Sequence, residues 1–400
     1  MHLQCILIPM KQMLLLSPVL ARAKFLTKPI GVYVHIPFCR KRCAYCDFYT
    51  AMCVDSVKEE YIKSLKNEIN RWGGALSRPA DTVYFGGGTP SILGADLLSD
   101  LLKVVKSSFF VTENAEITLE VNPEDATEEF FLKVKKAGFN RLSLGFQSLD
   151  DDTLKILGRR HNSEKSIEAF NMARKAGFDN ISVDLMLSLP DSSVESSVLS
   201  AQKIISLFPE HISCYMLILE EKTALYAKRD KLHFPSEEAI EQEYLKISKL
   251  FCDAGYSHYE ISNFAKSDKM SKHNLKYWRT QEYIGIGPSA YSFVDGERFH
   301  YENDLKGFIN SPKTVNDGEG GDLLEYVMLT LRLKEGLDEE KIKLRFSKRF
   351  SEKLKKTAEK FRENGFLTLE NGVISFTSKG MLVSNSLITE FMEENMYEDL

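Results

Sequence analysis

Short apolar runs recur along the first half of the chain, at residues 32–36, 82–85, 117–121, 141–145, 181–187 and 212–217. Such runs suit strands buried on both faces. Between them the apolar residues change to helical spacing, as in Val57, Tyr61, Leu65, Ile69 and Trp72, or Leu97, Leu98, Leu101, Leu102 and Val105. Strand alternating with amphipathic helix predicts βα units and a parallel sheet. Six units at a spacing of roughly 30 to 40 residues predict a partial barrel, short of the eight units of a complete one. The joints repeat as well. Lys136-Ala137-Gly138-Phe139 and Lys175-Ala176-Gly177-Phe178 each end a helix and lead into a strand, and Ala254-Gly255-Tyr256 is a third instance. Each glycine suits a left-handed helix cap.

Chemistry in such a sheet gathers at the C-terminal strand ends. Gly86-Gly87-Gly88-Thr89-Pro90 follows the second strand, Glu120-Val121-Asn122-Pro123 ends the third, Gly145-Phe146-Gln147-Ser148 ends the fourth, and Asp184 lies within the fifth. A single buried carboxylate is often a satisfied core group, but polar residues at successive strand ends point to a ligand. The glycine run lacks a Walker lysine and the Gly-x-Gly-x-x-Gly spacing, which disfavours nucleotide phosphates and leaves close backbone approach to a small ligand. Beyond residue 235 the pattern changes. A helix over 236–254 precedes a strand and a polar loop, and from Asp322 two or three helices precede a hairpin signalled by Asn371-Gly372 between alternating strands. Helices with a two-stranded wing suggest a winged-helix-like module. Its hairpin carries no special basic charge, so packing against the barrel is its expected role.

The 400 residues are 43% hydrophobic and 27% charged, enough for a substantial core, and the net charge of -5 argues against a general nucleic-acid binder. No apolar run reaches the roughly 20 residues of a membrane-spanning helix. Residues 1–30 carry Lys11, Arg22, Lys24 and Lys28 and no acid. They read as a non-catalytic extension or an upstream start, with Met10 or Met13 as alternative first residues, rather than as an export signal.

The segment His35-Ile36-Pro37-Phe38-Cys39-Arg40-Lys41-Arg42-Cys43-Ala44-Tyr45-Cys46-Asp47-Phe48 carries the most specific chemistry. Its spacing lets a short loop aim three thiolates at one centre. On spacing alone two readings stand. A 4Fe-4S cluster held by three cysteines keeps one iron open, whereas a structural zinc site needs a fourth donor, which Cys53 or His35 could supply. A disulfide is disfavoured by the odd count of seven cysteines. Cys5, Cys53, Cys214 and Cys252 read as incidental thiols.

Together the cysteine loop, glycine run and polar strand ends resemble the radical S-adenosylmethionine (radical SAM) superfamily, and within it the oxygen-independent coproporphyrinogen III oxidase group. The resemblance implies an α/β fold: a partial (β/α)6 radical SAM barrel with a C-terminal winged-helix-like α+β domain. It divides the chain into an extension (1–30), the barrel (31–235), a connecting region (236–321) and the C-terminal domain (322–400). It implies that Cys39, Cys43 and Cys46 hold the cluster, whose open iron takes S-adenosylmethionine. Gly87, Gly88, Thr89, Glu120, Gln147, Arg159 and Asp184 would contact that cofactor, with Tyr33 and Tyr45 flanking it and Ile218 and Tyr291 matching only loosely. The oxidases have a further cysteine two positions after the last ligand, where this chain has Phe48. That departure favours the heme chaperone branch, HemW. So does His273-Asn274-Leu275-Lys276-Tyr277-Trp278, which matches that branch's heme motif and implies His273 as axial ligand, beside Asn274, with Tyr277 and Trp278 as a flat wall. Ser188, and the segment Ile284 to Tyr291, depart from the usual pattern.

The resemblance therefore implies a heme chaperone that binds cluster, S-adenosylmethionine and heme and passes heme to respiratory apoproteins. A reductant protein would serve the cluster, and a homodimer is left open. The alternative within the group is decarboxylation of coproporphyrinogen III to protoporphyrinogen IX, and a zinc-stabilised binding module is the non-radical alternative. The expected location is cytoplasmic, with membrane association only through partners.

Overall fold

The computed structural model describes residues 28–400. The readings made above for the extension therefore fall, up to residue 27, outside the described residues. Strands β1 (Ile30–Ile36), β2 (Pro79–Gly87), β3 (Phe110–Val121), β4 (Arg141–Gln147), β5 (Ile181–Leu187) and β6 (His211–Met216) form six parallel neighbours in sequence order. The connecting helices are α1 (Asp55–Leu76), α2 (Ala95–Ser108), α3 (Glu128–Ala137), α4 (Ser163–Lys175) and α5 (Val194–Ser206). Each strand follows an apolar run picked out by the sequence: β1 to β4 extend it by two to seven residues at an end, β5 coincides with it, and β6 is moved by a single residue.

The helices lie on one face of the sheet because their apolar stripes have nowhere else to go. In α1 the buried residues Tyr61, Ile62, Leu65 and Ile69 recur at three- and four-residue spacing. In α2 the buried set is Leu98, Leu101, Leu102 and Val105. Helix α3 begins at Thr127, whose side chain accepts from the Phe130 amide, and ends at Gly138 with φ of 109°. A side chain there would be strained, which is why glycine punctuates this joint and Gly177, φ 88°, punctuates the next.

Helix α6 (Glu237–Asp253) leads to β7 (Ser257–Glu260) and β8 (Asn263–Ala265), and the short helix α7 (Lys272–Trp278) leads to β9 (Tyr283–Ile286), β10 (Tyr291–Val294), β11 (Glu297–Tyr301) and β12 (Thr314–Glu319). These strands join the barrel sheet at both edges. The order is β12-β11-β10-β9-β1-β2-β3-β4-β5-β6-β8-β7, and β9 pairs with β1 in parallel, Gly31 opposite Tyr283 and Val34 opposite Ile286. The region 236–321 thus continues the barrel sheet through hydrogen bonds, and β9 is a seventh parallel strand that the sequence pattern had not supplied.

The C-terminal part packs α8 (Leu323–Thr330), α9 (Glu339–Phe346) and α10 (Glu352–Glu363) with a hairpin of Leu367–Glu370 and Val373–Phe376, to which Leu337–Asp338 adds a third strand. Asn371 and Gly372 turn the hairpin with φ of 52° and 77°, both positive as a two-residue hairpin turn of the primed type requires. Among the described residues no helix is long and apolar enough to cross a membrane.

Candidate three-thiol cleft

The loop after β1 is tied down on both sides before it presents its cysteines. Ala51 N donates to Pro37 O at 2.7 Å, Ala44 N to Leu157 O at 2.9 Å, Leu225 N to Ala44 O at 2.7 Å, and Arg42 Nε to Cys46 O at 3.0 Å. So held, Cys39, Cys43 and Cys46 all line one cavity of about 280 Å³ at the C-terminal end of the parallel strands. Tyr45, Gly87, Gly88, Thr89, Glu120, Gln147, Arg159 and Asp184 line the same cavity.

Contacts among these residues explain their placement. Thr89 Oγ1 is 3.4 Å from Cys39 Sγ and accepts from Asn122 Nδ2 at 3.1 Å. Arg159 reaches from its helix-turn to donate to Cys43 Sγ at 3.4 Å, Asn122 Oδ1 at 2.8 Å and Gly145 O at 2.9 Å. Gln147 sits at φ 67° beside an irregularity in the β4–β5 register, which turns its amide inward to accept from Tyr215 Oη at 2.8 Å. Glu120 accepts from Tyr84 Oη at 2.8 Å and Gly87 N at 3.2 Å, and Asp184 from Ser143 Oγ at 3.1 Å.

Burial dominates the electrostatics. It pushes Glu120 up to about 7 against the pull of the Tyr84 hydrogen bond, and Asp184 up to about 6 against Ser143 and Arg141. It also pushes the Cys39 thiol up to about 11 and raises Cys46. A metal centre binding these thiols must therefore displace protons, as thiolate ligation always requires. Among the described residues no three His, Cys, Asp or Glu side chains gather around a single point. Neither rival fourth donor reaches the cleft. Cys53 packs against the core, and the His35 ring lies against Gly87.

Two glycines have a packing reason beyond ligand approach. A Cβ on Gly87 would come within 2.6 Å of the His35 ring, and one on Gly88 within 2.8 Å of Phe38 O.

The model for the "Radical SAM superfamily" matches residues 33–198, and that for the "HemN C-terminal domain" matches residues 322–383. A protein of Buchnera aphidicola (subspecies Acyrthosiphon pisum) named heme chaperone HemW is 32% identical over 388 residues, covering 92% of this chain and 100% of the relative. The HemW of Bacillus subtilis is 32% identical over 381 residues, covering 91% and 99%. The chain belongs to the HemW family of radical SAM proteins. In fold it is similar to the coproporphyrinogen III oxidase HemN of Escherichia coli, with a TM-score of 0.78 at 22% identity, over 94% of this chain and 93% of that one. Phe48, where the oxidase pattern has a cysteine, is 73% exposed in this HemW-family chain.

The remaining expected residues do not all meet in the cleft. Tyr33 lies in an adjoining cavity of about 460 Å³, with Tyr49, Tyr277, Tyr283 and Tyr291, and its hydroxyl is 3.0 Å from His35 Nδ1. The two cavities share Phe48, Gly87 and Glu120. Ile218 is 73% exposed and lines neither of them. The heme motif is split by the pitch of α7. Asn274 faces the thiol cleft, Tyr277 the aromatic cavity, and Trp278 points away, under the Arg332 guanidinium and against Leu333. His273 is 1% exposed, and both ring nitrogens are engaged, with Thr82 Oγ1 at 2.8 Å and Tyr277 Oη at 2.8 Å. Burial lowers it to about 3, so it is neutral. In this conformation His273 holds α7 to β2, and only Tyr277 of the aromatic pair faces a cavity.

The sequence reading passed over Tyr84, Arg141, Ser143 and Tyr215 as site residues, and gave Asn122 only as part of the polar end of the third strand. The signal for two of them was present, since Arg141 and Ser143 share the inward face of β4 with Gly145 and Gln147 by period-two alternation.

Proposed function

We propose that this chain is a heme chaperone that holds a 4Fe-4S cluster on Cys39, Cys43 and Cys46, binds S-adenosylmethionine beside it, and carries heme to respiratory apoproteins. The observation that carries the reading is full-length likeness to heme chaperones in a chain whose three-thiol cleft opens onto an aromatic-walled cavity. When bound, the cluster and S-adenosylmethionine supply one-electron chemistry at the sulfonium. The protein's part is positioning. Arg159, fixed by Asn122 and the Gly145 carbonyl, turns its planar fork toward a carboxylate, and Glu120 offers an acceptor to an ammonium. Gly87 and Gly88 keep the wall thin, while Tyr33, Tyr277, Tyr283 and Tyr291 give a macrocycle flat apolar contact. In this reading residues 31–235 serve the cofactors, 236–321 supply the aromatic wall, and 322–400 brace the barrel. A reductant protein reaches the cluster through the cytoplasm.

The test is one anaerobically reconstituted preparation, assayed for iron and labile sulfide, heme binding by visible titration, and coproporphyrinogen III decarboxylation. Sulfide-containing protein that binds heme stoichiometrically and releases it to an apocytochrome supports the proposal. Protoporphyrinogen formation without heme binding decides for the oxidase, and zinc without sulfide removes both.

A further inference from the structure

Arg141 opens β4 and faces the barrel interior, where it lines the floor of the thiol cleft with Ser143, Ser182, His211 and Asn274. It is 2% exposed, the bulkiest of the fully buried side chains. Among the described residues its guanidinium donates no hydrogen bond and makes no ion pair, and its Nε is closed off from solvent with no acceptor. This is the reverse of ordinary practice, since a buried guanidinium is expected to have a carboxylate or several carbonyls. The nearby acids are committed elsewhere: Glu120 to Tyr84 and the Gly87 amide, Asp184 to Ser143. The surrounding imidazoles are held neutral by burial, His211 bonded to Ser182 and Tyr259, His273 to Thr82 and Tyr277. The floor therefore presents a planar array of donors that no hydrogen-bond acceptor has taken, with the Asp184 and Glu120 carboxyls near enough to feel its charge, and such an array is the complement of a single carboxylate.

That carboxylate is distinct from the one expected beside the cysteines. Arg159 is anchored at the Gly145 carbonyl, four residues up the strand from Arg141, a backbone separation of about 13 Å at ~3.3 Å per residue. The two arginines thus rise from different levels of the barrel. We infer that Arg141 is the receptor, at the barrel floor, for a propionate carboxylate of a tetrapyrrole whose ring lies in the aromatic cavity, the arm passing Glu120, which lines both cavities. This rests on the proposal that the chain binds a tetrapyrrole.

Anaerobic titration of the reconstituted protein with hemin and with hemin dimethyl ester tests it, in wild type, Arg141→Gln and Arg141→Lys. The wild type is expected to prefer the free acid by at least about tenfold. Arg141→Gln should bind both forms alike while keeping its S-adenosylmethionine affinity, and Arg141→Lys should recover part of the preference. Retained acid preference in Arg141→Gln overturns the inference. So does weakened S-adenosylmethionine binding with hemin unaffected, which would give the carboxylate to the cofactor. If the wild type binds neither tetrapyrrole, the chaperone proposal fails and Arg141 is read separately. Sodium propionate should then raise the melting temperature of wild type above that in chloride of equal ionic strength and leave Arg141→Gln unmoved, and an equal response in both proteins overturns the receptor. Far-ultraviolet circular dichroism establishes that each variant is folded, and where Arg141→Gln is not, Arg141→Lys serves the same comparisons.

Discussion

Replacing Glu120 by glutamine keeps the shape of the side chain and removes a buried titratable carboxyl. In the folded protein burial holds this group near pH 7, against an ordinary value of 4.5. Below the lower value the group is protonated whether the chain is folded or not. As pH rises through 4.5 the unfolded chain ionises first, and the folded chain follows only near 7, so stability falls across this window. The full difference corresponds to about 3 kcal/mol at ~1.4 kcal/mol per unit, of which about 2 kcal/mol develops between roughly pH 5.5 and 7.5. Glu120→Gln should therefore gain on the wild type by about that amount over this range in urea denaturation followed by tryptophan fluorescence, for which Trp72 in α1 is a native probe. Infrared difference spectra should in parallel lose a protonated-carboxyl band near neutral pH. A stability difference that stays flat from pH 5.5 to 7.5 would refute the burial argument for this group.

Changing Cys39, Cys43 or Cys46 to serine should abolish labile sulfide and cluster absorption after reconstitution, while Cys53→Ser, outside the cleft, should leave both intact. His273→Ala leaves the hydroxyls of Thr82 and Tyr277 unpaired and opens a cavity, which should cost about 2 to 4 kcal/mol in chemical denaturation. Loss of heme binding by that variant would report on ligation only if its fold is shown to persist. Gly88→Ala, whose Cβ would press on Phe38 O and Pro37, should shift the cysteine loop and lower both cluster yield and urea midpoint, and an unchanged cluster spectrum would show that the loop yields freely.

The parallel strands were legible because each is an apolar run bounded by glycine or polar residues, and the cysteine loop because its chemistry is local in sequence. Ser188 shows what sequence alone could not explain. Its φ of 61° is a left-handed conformation that glycine adopts more readily, and the Glu243 carboxylate accepts from its amide at 2.8 Å in compensation. Strand β9 was missed because four residues containing Gly285 carry little pattern, and its partner lies some two hundred and fifty positions earlier. The packing of His273 was hidden for a related reason. A histidine flanked by lysine and asparagine reads as a surface residue or an available ligand, and only the packing of α7 against β2 shows both nitrogens already in use.

The pairing of β1 with β9 has a consequence for biogenesis. Until Tyr283–Ile286 has left the ribosome, the strand that launches the cysteine loop keeps one bare edge, with its peptide donors and acceptors open to any passing strand. Closure spans most of the polypeptide, a high-separation contact of the kind that slows folding and prolongs the sticky interval. Premature termination between Cys46 and residue 283 should therefore yield insoluble material even though all three cysteines have been made.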